Sequence, residues 1–150
     1  MTTPIMPKSD AAELIVAARI RQGLTWADLS ERLGTPLVWT VAALLGQHPV
    51  PADTAIAVCE ILGLGDGVVE SLVRQPTRIA DAESACDPTI YRFHEALAVY
   101  GGALKELIHE EFGDGIMSAI NFKVDFARRP DPDGDRVVVT FDGKFLDYRW

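Results

Sequence analysis

The hydrophobic repeat of this chain changes from helical to extended within DPTIYRFHEALAVYGGALKELIHEEFGDGIMSAINFKVDF, between Asp87 and Phe126. One backbone conformation cannot serve both periods, so the chain must pass from helix to strand near FGDG. Asp87 and Pro88 open the helix, because Asp caps free amides and Pro suits the first helical position, where its missing N–H costs nothing. Ile90, Phe93, Leu97 and Tyr100 then recur at helical spacing and mark an expected buried stripe. Gly113 is expected to close the helix in a left-handed cap, and Gly115 to let backbone run close to another group. Beyond Ser118, the residues Ile120, Phe122, Val124 and Phe126 alternate with Asn121, Lys123 and Asp125. That alternation predicts a half-buried strand over 119–126 with Ser118 at its entrance.

Three side chains in this run can carry chemistry. Arg92 and Glu95 lie three residues apart on one helix face, near enough to address one small ligand. The same spacing also describes an ordinary surface ion pair, worth under about 1 kcal/mol. Ser118, with the amides from Gly113 to Ala119, could hold an anion through oriented donors, although an isolated serine is also a common turn residue. The formal net charge is −8, so any anion site must arise from local geometry. Arg92 offers a planar fork of donors suited to a carboxylate-like anion. Glu95 would repel anions unless it is protonated or turned toward Arg92, which leaves it orienting Arg92 or shuttling a proton. His48, His94 and His109 are scattered, and Cys59 and Cys86 form no CxxC, so no metal-ligand spacing appears.

The segments DPTIYRFHE, VYGGALKELIHEEFGDGIMSAINF and VVVTFDGKF together resemble the cyanase (cyanate hydratase) family, densely from about Asp87 to Phe145 and more loosely before it. By position, the family's catalytic arginine, glutamate and serine fall on Arg92, Glu95 and Ser118, with Arg92, Ser118 and Ala119 as substrate-binding residues. His94 departs from the family, which usually has tyrosine there. The resemblance implies that bicarbonate oxygen attacks the cyanate carbon to give a carboxy-carbamate. Loss of carbon dioxide leaves carbamate, which decomposes to ammonia and a second carbon dioxide. It also implies no metal and no cofactor, bicarbonate being a co-substrate, and a homodecamer assembled from dimers with active sites shared between subunits. Holding two small anions in a reactive pose would supply much of the rate enhancement.

Chain reach bears on that sharing. A continuous helix from Glu95 to Phe112 spans roughly 25 Å, and the residues from Gly113 to Ser118 can return at most about 20 Å. Either the helix breaks at Gly101-Gly102 and doubles back, or Ser118 meets Arg92 and Glu95 of another subunit, which is the favoured reading. Further on, RVVVTFDGKFL reads as a hairpin with its turn at Asp142-Gly143, and ARRPDPDGD as a solvated loop carrying the basic pair Arg128 and Arg129. Two or three short strands are marginal alone, so pairing between chains is expected to bury Val137, Val139, Phe141 and Phe145.

The first half reads as helices. Asp10 with Glu13 opens one ending near Gly23, Thr25 to Asp28 opens another ending at Gly34, and Thr35-Pro36 a third closed by Gly46. Two more cover Pro51 to Leu62 and Asp66 to Val73. Leu14, Ile20, Leu29, Leu33, Val41, Leu44, Val58, Leu62 and Leu72 form the expected core, with Trp26 and Trp39 as its largest packing units. GLTWADLSERLG followed by TPLVWTVAALLG resembles a helix-turn-helix, so a DNA-binding regulator is the rival class. Yet the candidate recognition helix, Pro36 to Leu45, has no Arg, Lys, Asn or Gln, and acids outnumber bases eight to six over residues 1–80. The segment is therefore read as a packing and subunit-contact shape, with no nucleic-acid partner. A non-catalytic anion-binding oligomer is the third class.

The fold class expected is α+β: a helical bundle (1–74), a linker (75–86), and a catalytic and dimerisation domain (87–150) holding a helix and a small β unit that pairs between subunits. At 48% hydrophobic, 150 residues can bury a substantial core as one domain or two small ones. No window of about 18 apolar residues suggests a membrane span. The first ten residues lack signal-peptide blocks, and two separated cysteines fit free thiols in a reducing cytoplasm, with Cys59 in the core.

Overall fold

The computed structural model describes residues 3–78 and 82–149. Five helices come first: α1 (Lys8–Arg21), α2 (Trp26–Leu33), α3 (Leu37–Leu44), α4 (Ala52–Leu62) and α5 (Asp66–Val73). They are followed by the short α6 (Ala82–Cys86), the long α7 (Pro88–Phe112), and two paired strands, β1 (Gly115–Arg129) and β2 (Arg136–Asp147). The expected α+β class is borne out. Two compact units are present, one with α1–α5 and the outer ribbon Asp125–Val139, the other with α6, α7 and the ribbon's base. Residues 79–81 of the expected linker lie outside the described residues, and its last five residues are the helix α6.

Local chemistry sets the helix ends. Thr25 caps α2 in a capping box: the Asp28 N–H donates to Thr25 Oγ1 at 3.0 Å, and the Thr25 N–H donates to Asp28 Oδ2 at 2.8 Å. Gly34 ends α2 in the left-handed conformation. Ile15, Leu29, Leu44, Val58 and Leu72 are fully buried in the bundle core, with Leu62 and Cys59 beside them and Leu33, Trp26 and Trp39 packed against it. Three expected core members are displaced, Val41 being half-buried outside the core cluster. Leu14 and Ile20 are exposed, and α1 instead buries Ala11, Ile15 and Ala18. In a helix carrying LIVAARI, apolar residues occur on every side, and packing against α4 and α5 chooses the face.

The second unit departs further from expectation. No residue of α7 is buried, and Ile90, Phe93, Leu97 and Tyr100 are 41–64% exposed. One helix and a two-stranded ribbon offer too little apolar surface to cover that stripe within a single chain. The strand expected at 119–126 is the middle of the longer β1, so Ser118 lies inside the strand. Asp142-Gly143 is not a turn. β2 runs straight through it, and the connection is made at 130–135, where the Gly134 N–H donates to the Asp131 carbonyl and the Asp133 N–H to Asp131 Oδ1. Arg128, near the end of β1, braces that connection, with Nε 2.6 Å from Asp135 Oδ2.

Gly143 serves a different purpose. A Cβ there would stand 2.7 Å from the Ser118 carbonyl oxygen and press on Met117, so the strands can approach this closely only at glycine. Gly115 meets the expectation of close approach, since its Cβ would strike the Phe145 ring and the Leu146 carbonyl.

Candidate active site

The start of α7 organises Arg92. Asp87 Oδ1 accepts from the Thr89 N–H at 2.8 Å and the Ile90 N–H at 3.1 Å, and Pro88 occupies the first turn. One turn on, Arg92 Nε donates to the Pro88 carbonyl at 3.3 Å, and Arg92 Nη1 lies 2.9 Å from Glu95 Oε2. The guanidinium carbon sits 5.5 Å from the centre of the Tyr91 ring, within cation–π range. Glu95 is thus turned toward Arg92, as one of the two roles expected for it requires. With Nε and one Nη1 hydrogen engaged, the guanidinium keeps three N–H donors by its ordinary inventory of five. Both side chains are more than half exposed, at 66% and 54%, so the pair by itself contributes little stability. Sequence spacing identified Arg92 and Glu95 but not the Pro88 and Tyr91 contacts. The i, i+4 separation of Pro88 and Arg92 is the signal that could have found the first of these.

Ser118 is organised differently. It is buried, at 6% exposure, and its Oγ accepts from the Ile120 N–H at 3.1 Å and the Asn121 N–H at 2.9 Å. Both oxygen lone pairs are engaged, which leaves the hydroxyl proton free to donate and makes Oγ a poor nucleophile. These amides lie just beyond the range expected to face an anion. Within that range, the Gly113 N–H is held by the His109 carbonyl, and Gly113 adopts φ 92°, ψ −159° rather than the expected left-handed cap. Ala119 is exposed on β1.

Arg92 and Glu95 come together, but Ser118 and Ala119 stand apart from them. α7 is unbroken through Gly101-Gly102, which removes the doubled-back alternative. From Arg92 to Phe112 the helix rises about 30 Å. Side chains on a helix lean toward its N-terminus, and the Pro88 contact draws the guanidinium that way, away from Ser118. A groove of about 520 Å³ runs between α7 and the start of β1, lined by residues such as Leu97, Leu104, Ile108, Ile116 and Met117. Arg92, Glu95 and Ser118 are not among its lining residues.

The three histidines occupy unrelated settings: His48 stacks on Trp39, His94 lies tilted against Tyr91, and His109 Nδ1 is 3.0 Å from the Gly113 carbonyl. Among the described residues, no group of three His, Cys, Asp or Glu side chains is placed to hold a metal ion.

Residues 8–76 match the family described as cyanate hydratase, N-terminal, and residues 82–150 match the cyanate lyase C-terminal domain. A cyanate hydratase of Mycolicibacterium vanbaalenii is 60% identical over 97% of this chain and 95% of its own length. One from Pseudomonas savastanoi pv. phaseolicola is 49% identical over 95% of this chain and 93% of its own. The crystal structure of cyanase from T. urticae superposes with a TM-score of 0.82 at 38% identity, covering 91% of this chain and 96% of that one. Across both its units, the chain belongs to the cyanate hydratase (cyanase) family.

Proposed function

We propose that this protein is an enzyme catalysing the bicarbonate-dependent decomposition of cyanate, in a homo-oligomer whose active sites draw Arg92 and Glu95 from one chain and Ser118 and Ala119 from another. The observation that carries the activity is 60% identity over 97% of the chain to a protein named cyanate hydratase. The shared site is supported by the unbroken α7, which holds Arg92 far from Ser118 of the same chain, and by the uncovered apolar stripe of that helix. Nothing favours the DNA-binding or scaffold readings. In the division of labour proposed, the bundle (1–74) and linker (75–86) carry a catalytic and dimerising unit (87–150). The family's decamer and a cytoplasmic location, in keeping with the free thiols Cys59 and Cys86, complete the reading.

The residues divide the work by charge. Arg92 holds one anion through its unengaged N–H donors, and Glu95 fixes the plane of the guanidinium. Ser118 donates a hydrogen bond from its hydroxyl to the other anion, and the backbone N–H of Ala119 adds a second oriented donor. A bicarbonate oxygen bonds to the cyanate carbon and the bicarbonate proton passes to the cyanate nitrogen, forming a dianionic carboxy-carbamate. The carbon–oxygen link to the former cyanate carbon stays intact as the former bicarbonate carbon departs as carbon dioxide. A proton taken up at nitrogen gives carbamate, and a second proton releases ammonia and the second carbon dioxide. The sequence is redox-neutral, and we assign it no metal or cofactor. An ammonia assay with cyanate, with and without added bicarbonate, tests the reading. Ammonia release that requires bicarbonate is expected, and release independent of it overturns the two-substrate mechanism.

A further inference from the structure

We propose that Asp87 is a positioning residue for catalysis, acting on Arg92 through the carbonyl of Pro88. This inference rests on the cyanate–bicarbonate reading for its kinetic consequence but not for its geometry. Asp87 Oδ1 accepts two first-turn amides, those of Thr89 and Ile90, and so pins the peptide that carries the Pro88 carbonyl, through its Thr89 N–H, and the peptide after it. The proline ring fixes its own φ, leaving the orientation of its carbonyl to be set by that capped turn. The carbonyl accepts Arg92 Nε at 3.3 Å, while Glu95 holds Nη1 at 2.9 Å. Two separated anchors define the plane of a guanidinium where one would leave it free to swing about the remaining bond. With 66% of the Arg92 side chain exposed, the Tyr91 ring is the further contact recorded for it among the described residues. Removing the Asp87 acceptor frays the first turn and releases the Nε anchor, so the guanidinium presents its open donors to the anion only part of the time.

The test compares Asp87→Ala, Asp87→Asn and Asp87→Ser in the assembled protein. Asn and Ser also cap helices, so both are expected to keep near wild-type kinetics, whereas Ala should lower kcat/KM about tenfold, as loss of orientation at a reacting centre does. The loss should lie mainly in a raised KM for the anion held by Arg92, while helical content and oligomer size stay unchanged. A readout independent of turnover is the rate at which phenylglyoxal labels Arg92, followed by peptide mass spectrometry. Labelling should be faster in Asp87→Ala than in wild type or Asp87→Asn. If Asp87→Ala does not assemble, Pro88→Gly keeps the cap residue and loosens the carbonyl, and the same rise in KM and labelling rate is expected. Wild-type kinetics and labelling in Asp87→Ala, or in Pro88→Gly where that variant stands in, overturn the proposal. So does an Asp87→Asn variant as impaired as Asp87→Ala, which would show that charge and not capping matters. A wild-type protein that releases no ammonia counts against the cyanate reading alone, and the labelling rates then decide the positioning role.

Discussion

Mixing two inactive variants, Arg92→Ala and Ser118→Ala, should restore activity. The expectation follows from distances along the chain. From Arg92 to Phe112, α7 rises about 30 Å, and the six residues from Gly113 to Ser118 can cover at most about 20 Å on the way back. The shortfall is on the order of 10 Å even if the strand doubled straight back along the helix, and the Pro88 contact pulls the guanidinium further from Ser118. With the guanidinium drawn toward Pro88, that gap favours two chains over one for placing both groups on one pair of small anions. If each site takes Arg92 from one chain and Ser118 from another, unfolding an equal mixture and reassembling it leaves about a quarter of sites with both residues intact. Ammonia release near a quarter of wild type is therefore expected from a preparation whose parents are each inactive. The assay needs native mass spectrometry to confirm that oligomers contain both variants. Mixed oligomers with no more activity than the parents would refute the two-chain site and require α7 to bend in the working enzyme.

Three further outcomes follow from particular contacts. Ser118→Ala removes the acceptor for the Ile120 and Asn121 amides at a buried position and should destabilise the protein by about 1–3 kcal/mol in urea denaturation, beyond any effect on turnover. Burial, and secondarily Arg78, hold the His48 imidazole below its ordinary pKa, so folding stability present above that ordinary value, about 6.5, is lost as pH falls beneath it. His48→Gln should flatten that part of a stability–pH curve, and an unchanged slope would exclude His48 as its source. Burial also pushes the Cys59 thiol up, whereas Cys86 is exposed, so a thiol reagent should label Cys86 in the native protein and Cys59 only on unfolding. Equal labelling rates would contradict the placement of Cys59 in the core.

Features decided within four or five residues were legible in the sequence. The Thr25–Asp28 capping box, the glycine that ends α2 and the Asp87-Pro88 start of α7 depend on donors and acceptors next to one another in the chain. So does the Arg92–Glu95 pair, one turn apart on one helix. The expectation failed where a local signal had two uses. Asp142-Gly143, flanked by alternating apolar residues, has the composition of a tight turn, but glycine is needed there because Ser118 and Met117 leave no room for a Cβ.

What the sequence determined by itself was the inventory: helices, a period-two segment, and the Arg92–Glu95 pair. Tertiary structure alone decided which face of α1 is buried, because Leu14 and Ile15 are equally apolar and only the neighbouring helices distinguish them. And it decided that α7 runs unbroken, since two adjacent glycines permit a break without requiring one. Hydrophobic periodicity shows which surface avoids water, but the partner that covers it is set by packing between distant segments, which no local pattern encodes.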